Sequence, residues 1–133
     1  MRYIIINENK MFAQYDTEQG LVLEQLQKMV DGYIEHLTIN SDRGFAYYIN
    51  EEGKYTKSVN EFATVWWEYN LGVYNLDDYI CGAAVFIGED ENGDMRDLTD
   101  DEITEFEYFA KMYYLLEAPG VMGSIQQTGK DSE

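Results

Sequence analysis

A run of acidic residues at 89–107 sets the strictest limit on how this chain folds. These nineteen residues, EDENGDMRDLTDDEITEFE, contain ten acids against one base, Arg96, a net charge of −9 out of −17 for the whole chain. Carboxylates are rarely buried unless they are paired, so the run must lie at the surface. Asn92-Gly93 is a turn signal, and Thr99-Asp100-Asp101-Glu102 is the pattern of a capping box that opens a helix. We therefore expect an ordered acidic surface with fixed charge spacings.

The composition predicts one compact domain over residues 1–117, followed by a flexible tail at 118–133. Aromatic residues make up 15% of the chain, which a disordered acidic protein would lack. Pro119-Gly120 stops the last predicted helix, and the segment after it is rich in Gly, Ser and Gln. The single cysteine excludes an internal disulfide, no apolar stretch is as long as a membrane span, and the first residues predict a strand instead of a signal peptide. We expect a soluble, cytoplasmic protein.

Hydrophobic periodicity predicts an α+β fold, with a mainly antiparallel sheet of about five strands and three helices in the order β-β-α-β-β-α-β-α. The predicted strands cover residues 2–7, 11–15, 33–39, 45–50 and 79–88. The first predicted helix ends before Gly32, and it is either capped by Asp16 or Thr17 or starts nearer Leu21. The other predicted helices cover residues 62–69, with Asn60 as the cap, and 100–117. On the last helix Asp101, Glu105 and Tyr108 are expected at the surface, and the buried stripe comprises Ile103, Phe106, Phe109, Ala110, Tyr113 and Leu116.

Residue types that carry common enzyme chemistry are scarce. His36 is the single histidine, and it is expected in the middle of a strand, where a lone histidine is usually structural or on the surface. Cys81 is expected in an apolar strand, where a thiol is inert. The chain has no phosphate loop, no GxSxG and no HExxH motif. The sequence therefore predicts a protein that is not an enzyme and has no cofactor.

Two alternative hypotheses concern ligands. Residues 90–101 resemble part of a calcium loop with Asp90 at position one, but Met95 occupies the position that requires glycine, and Asp101 replaces the closing glutamate. A solvated hairpin turn is the simpler interpretation, so no metal ligand is assigned. The other alternative is a small-ligand pocket near Gly82 and the two tryptophans.

The acidic surface indicates the class of partner. Phosphate contacts need Lys and Arg, so direct binding to nucleic acid or to an anionic membrane is disfavoured, and a basic protein surface is the natural counterpart. Carboxylates fixed on a helix and a hairpin can also match the charge density of DNA, about one charge per 1.7 Å of duplex axis. The predicted partner-binding residues are Asp90, Glu91, Asp94, Asp97, Asp100, Asp101 and Glu105.

Charge alone gives such a surface little affinity, so apolar anchors are expected beside it. Tyr108, Tyr114 and Trp67 are the candidate anchors. The competing interpretation is that the charges only keep a small, aromatic-rich domain in solution.

A series of short motifs is similar to a known family. In order, the motifs are Leu26-Gln27, VDGYIE at 30–35, NEEGK at 50–54, Asn60 with Ala63-Thr64, DYICGAAV at 78–85 with Gly88, and DLT at 97–99. Their order and spacing, over about residues 21–104, resemble a small domain of phages, plasmids and other mobile elements that is known only as a domain of unknown function. The resemblance implies a compact α+β domain and carries no catalytic residue to this chain. The chain departs from the family pattern at Asp31, where Gly is usual, and at an aromatic insertion, 66–74.

The setting that the resemblance implies favours one function. Small, very acidic proteins of phages and plasmids are repeatedly inhibitors of host defence nucleases. The chain is therefore expected to be an anti-restriction or anti-CRISPR protein in the cytoplasm of a bacterial host cell. Its DNA-mimicking face is expected to bind a restriction enzyme or a CRISPR effector. The motif at 50–54 is interpreted as structural, a turn in which Gly53 supplies a positive φ.

Overall fold

The computed structural model describes residues 1–73 and 76–117. Within these ranges the elements are β1 (Arg2–Ile6), β2 (Phe12–Asp16), α1 (Leu23–Val30), β3 (Ile34–Asn40), β4 (Phe45–Asn50), α2 (Gly53–Thr56), α3 (Glu61–Leu71), β5 (Ala84–Glu89), β6 (Met95–Arg96) and α4 (Asp100–Glu117). The predicted α+β class is confirmed. The short helix α2 and the two-residue strand β6 add to the predicted order. The predicted tail, 118–133, lies outside the described residues.

The sheet forms the middle layer of the domain. Its strand order is β2-β1-β5-β4-β3, with β6 paired to the end of β5, and every described strand pair is antiparallel. Side chains alternate between the two faces along a strand, so Ile4 and Phe86 pack under α3 and α4 whereas Tyr3 and Val85 pack under α1. Both faces are covered, which explains why β1 and β5 are continuous apolar runs. No helix among the described residues combines the length and hydrophobicity needed to cross a membrane.

Trp66 lies at the centre of the larger core cluster. Its ring centroid is 5.5 Å from that of Phe86 on the sheet and 5.1 Å from that of Phe106 on α4. Trp67, which was a candidate surface anchor, is only 8% exposed. This prediction is wrong because the segment before β5 packs along α3, where the backbone N–H of Ile80 donates to the Thr64 hydroxyl at 2.9 Å. This segment covers the side of α3 that carries Trp67, which would be exposed if α3 packed on the sheet alone.

The strand predicted over residues 79–88 begins later than expected. Cys81 forms only an isolated antiparallel bridge with Val59, and Gly82 has a φ of 84°. That left-handed conformation breaks the extended backbone, and β5 starts at Ala84. The apolar composition of residues 80–82 therefore reflects burial of a bend and not a longer strand, and Tyr79 before it is exposed.

Gly53 is structural, but for a different reason from the predicted one. Its φ is not positive. A Cβ atom at this position would lie 2.6 Å from the carbonyl oxygen of Cys81, closer than any real contact of this kind. Glycine is required because two backbone segments meet here.

Asn60 joins three parts of the fold and is fully buried. Its side-chain oxygen accepts from the backbone N–H of Ala63 at 3.1 Å, which confirms the predicted cap of α3. Its side-chain nitrogen donates to the carbonyls of Ile6 and Gly82, each at 2.9 Å. The residue therefore ties the start of α3 to the end of β1 and to the turn before β5.

We expect Asn60→Ala to lower the free energy of unfolding by about 3 kcal/mol, since it removes a helix cap and leaves two buried carbonyls without a donor. Asn60→Asp retains the cap acceptor but loses both donated bonds, so it should be at least as destabilised. Urea unfolding followed by circular dichroism measures both changes. The exposed Asn92→Ala is the control, with an expected change within about 0.5 kcal/mol. Wild-type stability of Asn60→Asp would show that the donated bonds contribute nothing.

Candidate functional site

The acidic run lies at one end of the sheet. Here the β5–β6 hairpin, the turn between β3 and β4, the start of β1, the end of β2 and the first turns of α4 meet. We call this region the acidic end. Its carboxylates are Asp16, Asp42, Glu89, Asp90, Glu91, Asp94, Asp97, Asp100, Asp101, Glu102 and Glu105. Its cationic groups among the described residues are fewer: the Met1 ammonium, Arg2, Arg43 and Arg96.

Arg96, the one base of the acidic run, holds the acidic end together. Its guanidinium donates to both carboxylate oxygens of Glu102 at 2.8 and 3.0 Å, and to the carbonyls of Arg43 and Asp97 at 2.9 Å each. Gly88 lies beneath it, where a Cβ atom would be 2.6 Å from a guanidinium nitrogen. The hairpin, the β3–β4 turn and α4 are therefore joined through one side chain.

Glu102 also completes the predicted capping box of α4. Its carboxylate accepts from the backbone N–H of Thr99 at 2.8 Å, and its own N–H donates to the Thr99 hydroxyl at 3.2 Å. Partial burial raises the pKa of Glu102, but hydrogen bonds from Arg96 and from the Thr99 backbone outweigh that effect and hold the pKa below its usual value. The first turn of the acidic helix is thus fixed in position.

Glu105 forms the second strong ion pair of the region. Both of its carboxylate oxygens accept from the Arg43 guanidinium, one of them at 3.0 Å, and the Tyr69 hydroxyl donates to it at 3.2 Å. The hydrogen bond from Arg43 holds the pKa of Glu105 below its usual value. Although Glu105 was predicted to contact a partner, it is half-buried and ties α4 to the β3–β4 turn and to α3.

The other predicted site residues divide into two groups. Asp100 lies 2.7 Å from Arg2, Asp97 lies 3.9 Å from the Met1 ammonium, and the Asp90 carboxylate accepts from the backbone N–H groups of Asn92 and Asp94 within the hairpin turn. Three acids are exposed and form no ion pair with any described residue: Glu91, Asp94 and Asp101. These three are the charges most available to a partner.

An apolar groove of about 510 Å³ adjoins Asp101 on the outer side of α3 and α4. It is lined by Tyr69, Asp101, Thr104, Glu105, Tyr108, Phe109 and Met112. Tyr108 is 67% exposed, as predicted for an anchor. Tyr69 and Met112 were not predicted to belong to this surface, although the i, i+4 spacing from Tyr108 to Met112 places both on one side of a helix.

Two details of α4 differ from the prediction. Tyr114, a candidate anchor, is only 4% exposed, and Leu116, assigned to the buried stripe, is 83% exposed. The buried positions run Ile103, Phe106, Ala110 and Tyr114, which keeps the 3.6-residue helical period into the last turn. The predicted buried stripe, which continued through Tyr113 to Leu116, is out of phase with the buried side of the helix in its last turn.

The calcium-loop alternative finds no support at Asp90. Its carboxylate accepts hydrogen bonds from backbone N–H groups of the hairpin turn, and Met95 lies in β6. Residues 90–94 therefore form a hairpin turn, the simpler of the two interpretations of the sequence. Within 1–73 and 76–117, no group of three or more His, Cys, Asp or Glu side chains is placed to hold a metal ion.

The two residues considered for nucleophilic chemistry, His36 and Cys81, have different surroundings. The Nε2 atom of His36 lies 2.6 Å from the Glu89 carboxylate across the sheet surface. Cys81 is buried, and burial raises the pKa of its thiol above the usual value, which disfavours the reactive thiolate.

A second concave site lies at the opposite end of the sheet. It is a cleft of about 210 Å³ between β3, β4, α2, α3 and the segment 78–81. The small-ligand hypothesis placed a pocket near Gly82 and the tryptophans. Trp67 lines this cleft, whereas Trp66 and Gly82 do not.

Comparison with known proteins identifies a family but no function. A family model described as Domain of unknown function (DUF3846) matches residues 1–113. The match extends the resemblance seen over about residues 21–104 to β1, β2 and most of α4. No curated protein matches the chain, and no solved structure matches it.

The Arg43–Glu105 pair predicts a pH-dependent stability difference. We expect Glu105→Gln to be about 1 kcal/mol less stable than the wild type at pH 7, a value typical of a partly exposed ion pair. The pKa of Glu105 is lowered in the folded state, so its stabilisation is complete above the unfolded value and is lost as the pH falls through the folded value. The difference between the two proteins should therefore shrink below about pH 4.5.

Urea unfolding at several pH values between 3 and 7 measures this difference, with Glu91→Gln as the control. Glu91 forms no ion pair with any described residue, so its variant should lose no stability at any pH. A difference for Glu105→Gln that persists unchanged at pH 3 would contradict the assigned ion pair.

Proposed function

The chain belongs to the DUF3846 family of domains of unknown function, and we propose that it acts by binding and not by catalysis. In this proposal its acidic end docks on the basic surface of a nucleic-acid-binding protein and takes the place of the nucleic acid. The observation that carries the proposal is that Asp101, an exposed carboxylate with no ion pair among the described residues, lines the apolar groove around Tyr108.

The charge at this surface is uncompensated. Arg2, Arg43 and Arg96 are each already paired with a carboxylate of the acidic end. The remaining carboxylates therefore present a local excess of negative charge, which attracts a basic surface over long range and speeds association.

The surface is also ordered before any partner binds. The hairpin turn that carries Glu91 and Asp94 is closed by backbone bonds between Asp90 and Asp94 and between Gly93 and Asp90. Asp101 lies in the capped first turn of α4. Charges that are already fixed lose less conformational entropy on binding than charges on a flexible tail.

The groove supplies what charge alone lacks. Exposed ion pairs each contribute about 0–1 kcal/mol, whereas buried aromatic anchors dominate most protein interfaces. Tyr69, Tyr108 and Met112 offer such anchors beside Asp101. A surface selected only for solubility does not need an exposed apolar groove within its acidic region.

The proposed partner is a restriction enzyme or a CRISPR effector. Proteins that hold nucleic acid present positively charged grooves with aromatic side chains, and such a groove complements both features of the acidic end. The resemblance of the chain to a domain of mobile elements favours a host defence protein as the owner of that groove. The proposed role requires no cofactor.

Reversing Glu91, Asp94 and Asp101 to Lys should weaken inhibition of the partner about 100-fold, since each reversed charge costs about 1 kcal/mol. Two assays measure the loss. One is phage plating on bacteria that carry a defined restriction or CRISPR system and express the protein, and the other is DNA cleavage by the purified effector. Inhibition by the wild type should also decline as salt rises.

The matched control reverses Glu24, Glu52 and Asp77 to Lys. These acids are exposed, lie away from the acidic end, and change the net charge by the same amount. This variant should keep inhibition within a few-fold of the wild type, and both variants should keep the wild-type thermal melt. An equal loss in the two variants would show that only net charge matters. Full inhibition by the first variant would place the interface elsewhere.

Tyr108→Ala should reduce affinity for the same effector about 30-fold, mainly through faster dissociation, because a central aromatic anchor contributes about 2 kcal/mol. Surface plasmon resonance measures both rate constants. Tyr33→Ala is the control, because Tyr33 directly precedes β3 and is as exposed as Tyr108. This variant should leave both rate constants unchanged. If Tyr108→Ala also binds like the wild type, the groove is not part of the interface.

A further inference from the structure

We infer that the cleft at the end of the sheet opposite the acidic end binds an organic cation, a guanidinium, amidinium or ammonium group attached to an apolar body. This inference does not rest on the proposed function. The two sites use different residues, and the cleft is formed by the end of β4, the start of β3 and the helices α2 and α3.

The cleft has an apolar floor of suitable size. Leu37 and Ile49 contribute from the sheet, Trp67 from α3 and Ile80 from the segment before β5. Tyr55 and Tyr79 stand at its rim, where they are 90% and 46% exposed. At about 210 Å³ the cleft exceeds the roughly 150 Å³ of a buried cavity that holds one benzene molecule. A ring or a short alkyl chain therefore fits.

The walls are preformed. Gly53 packs directly on the carbonyl oxygen of Cys81, which holds α2 against the segment 78–81. Asn50 is buried, and its side chain donates to the carbonyls of Val30 and Asp31 and accepts from the backbone N–H of Glu52. Residues of the motif at 50–54 and the first half of the motif at 78–85, residues 78–81, thus meet as the sides of one preformed cleft, as in most small-molecule sites.

One half of the cleft already holds a cation of the chain itself. The Lys54 ammonium donates to the Asp78 carboxylate and lies 5.2 Å from the centroid of the Tyr79 ring. An ammonium group held between a carboxylate and an aromatic face is a favourable arrangement. Lys54 is therefore neutralised and does not attract an anionic ligand.

The other half has the same kinds of groups without a cation. Glu35 and Glu51 line the cleft, both are exposed, and neither forms an ion pair within the part of the chain that the structure describes. Glu35 is paired with Ile49 across β3 and β4. Glu51 lies in the turn directly after β4, where its backbone N–H donates to the carbonyl of Tyr33 at 2.9 Å, so it continues the ladder as the diagonal neighbour of Glu35. Such diagonal neighbours are about 7–8 Å apart, a separation that one guanidinium or ammonium group can bridge.

The charge of the lining selects the ligand class. Glu35, Glu51 and Asp78 carry three negative charges against the single positive charge of Lys54. Nucleotides, phosphates and carboxylic acids are therefore repelled. A cation with a flat or apolar body gains from the carboxylates, from the faces of Tyr55 and Trp67, and from the apolar floor.

Benzamidine and benzamide provide a matched test, because they share one shape and only benzamidine is charged. Titration of ¹⁵N-labelled protein should show benzamidine shifting the indole N–H peak of Trp67 and the amide peaks of Gly53 and Cys81. The peaks of Asn92 and Gly93 at the acidic end should stay in place. The two indole peaks are assigned with Trp67→Phe. Equal binding of benzamide, or benzamidine shifts centred on the acidic end, would overturn the inference.

Variants test the assigned carboxylates. The double change Glu35→Gln and Glu51→Gln should weaken benzamidine binding about tenfold, as expected for the loss of two partly exposed charge contacts. Glu24→Gln with Glu52→Gln alters the net charge equally outside the cleft lining and should change the affinity less than twofold. An equal loss in both pairs would also overturn the inference.

The same chemistry could come from a free amine or from an arginine side chain of a protein, and a second pair of probes distinguishes these sources. Agmatine stands for a free metabolite, and a capped Gly-Arg-Gly peptide stands for a protein segment. Tighter binding of agmatine supports a metabolite site, and tighter binding of the peptide supports a side-chain site. Failure of agmatine, the peptide and benzamidine to shift the cleft residues would refute the inference in either form.

Discussion

The acidic end of this protein depends on one guanidinium group. Arg96 bonds to Glu102 at the start of α4 and to the carbonyls of Arg43 and Asp97, so three chain segments with many like charges are held at fixed positions. Without that cation the carboxylates of the hairpin and the helix would repel one another at close range. Gly88 provides the space for this side chain, since any Cβ there would collide with the guanidinium. A single base thus converts an acidic run into an ordered surface.

The two ends of the sheet have different chemistry. At the acidic end the three arginines form ion pairs with carboxylates of the same region. The exposed carboxylate of Asp101 lies at the groove around Tyr108. At the other end a rigid cleft combines aromatic walls with Glu35 and Glu51. The ligands that we propose for both sites are positively charged, but they differ in scale, because an exposed groove beside Asp101 suits a protein surface, whereas a 210 Å³ cleft suits one chemical group.

The elements of the fold followed from local patterns, whereas several site residues did not. The capping box at Thr99 and Glu102, the cap at Asn60 and the strand Phe45–Asn50 were predicted because each depends on neighbours within a few residues. Glu105 was predicted to be an exposed partner-binding residue, and its pairing with Arg43, 62 residues away, was not foreseen. Trp67 and Tyr114 were predicted as anchors, but the segment 76–81 and the helical phase of α4 bury them. The contacts of Arg43 with Glu105 and of the segment 76–81 with α3 are long-range, so they leave no trace in local spacing. The burial of Tyr114 follows instead from the local period of α4, in which it continues the series Ile103, Phe106 and Ala110.

The sequence by itself determined the α+β class, the antiparallel hairpins and the presence of an acidic surface, because hydrophobic period, turn residues and charge density act over short distances. Only the tertiary structure decided which acids are free. Asp100 and Asp101 are neighbours in the first turn of α4, but only Asp100 forms an ion pair among the described residues, because Arg2 on β1 lies 2.7 Å from its carboxylate. The structure also decided that residues 50–54 and 78–81 form one cleft. Pairing across a sheet and packing between layers join residues that are far apart in the chain, so the available charges and cavities are properties of the assembled fold.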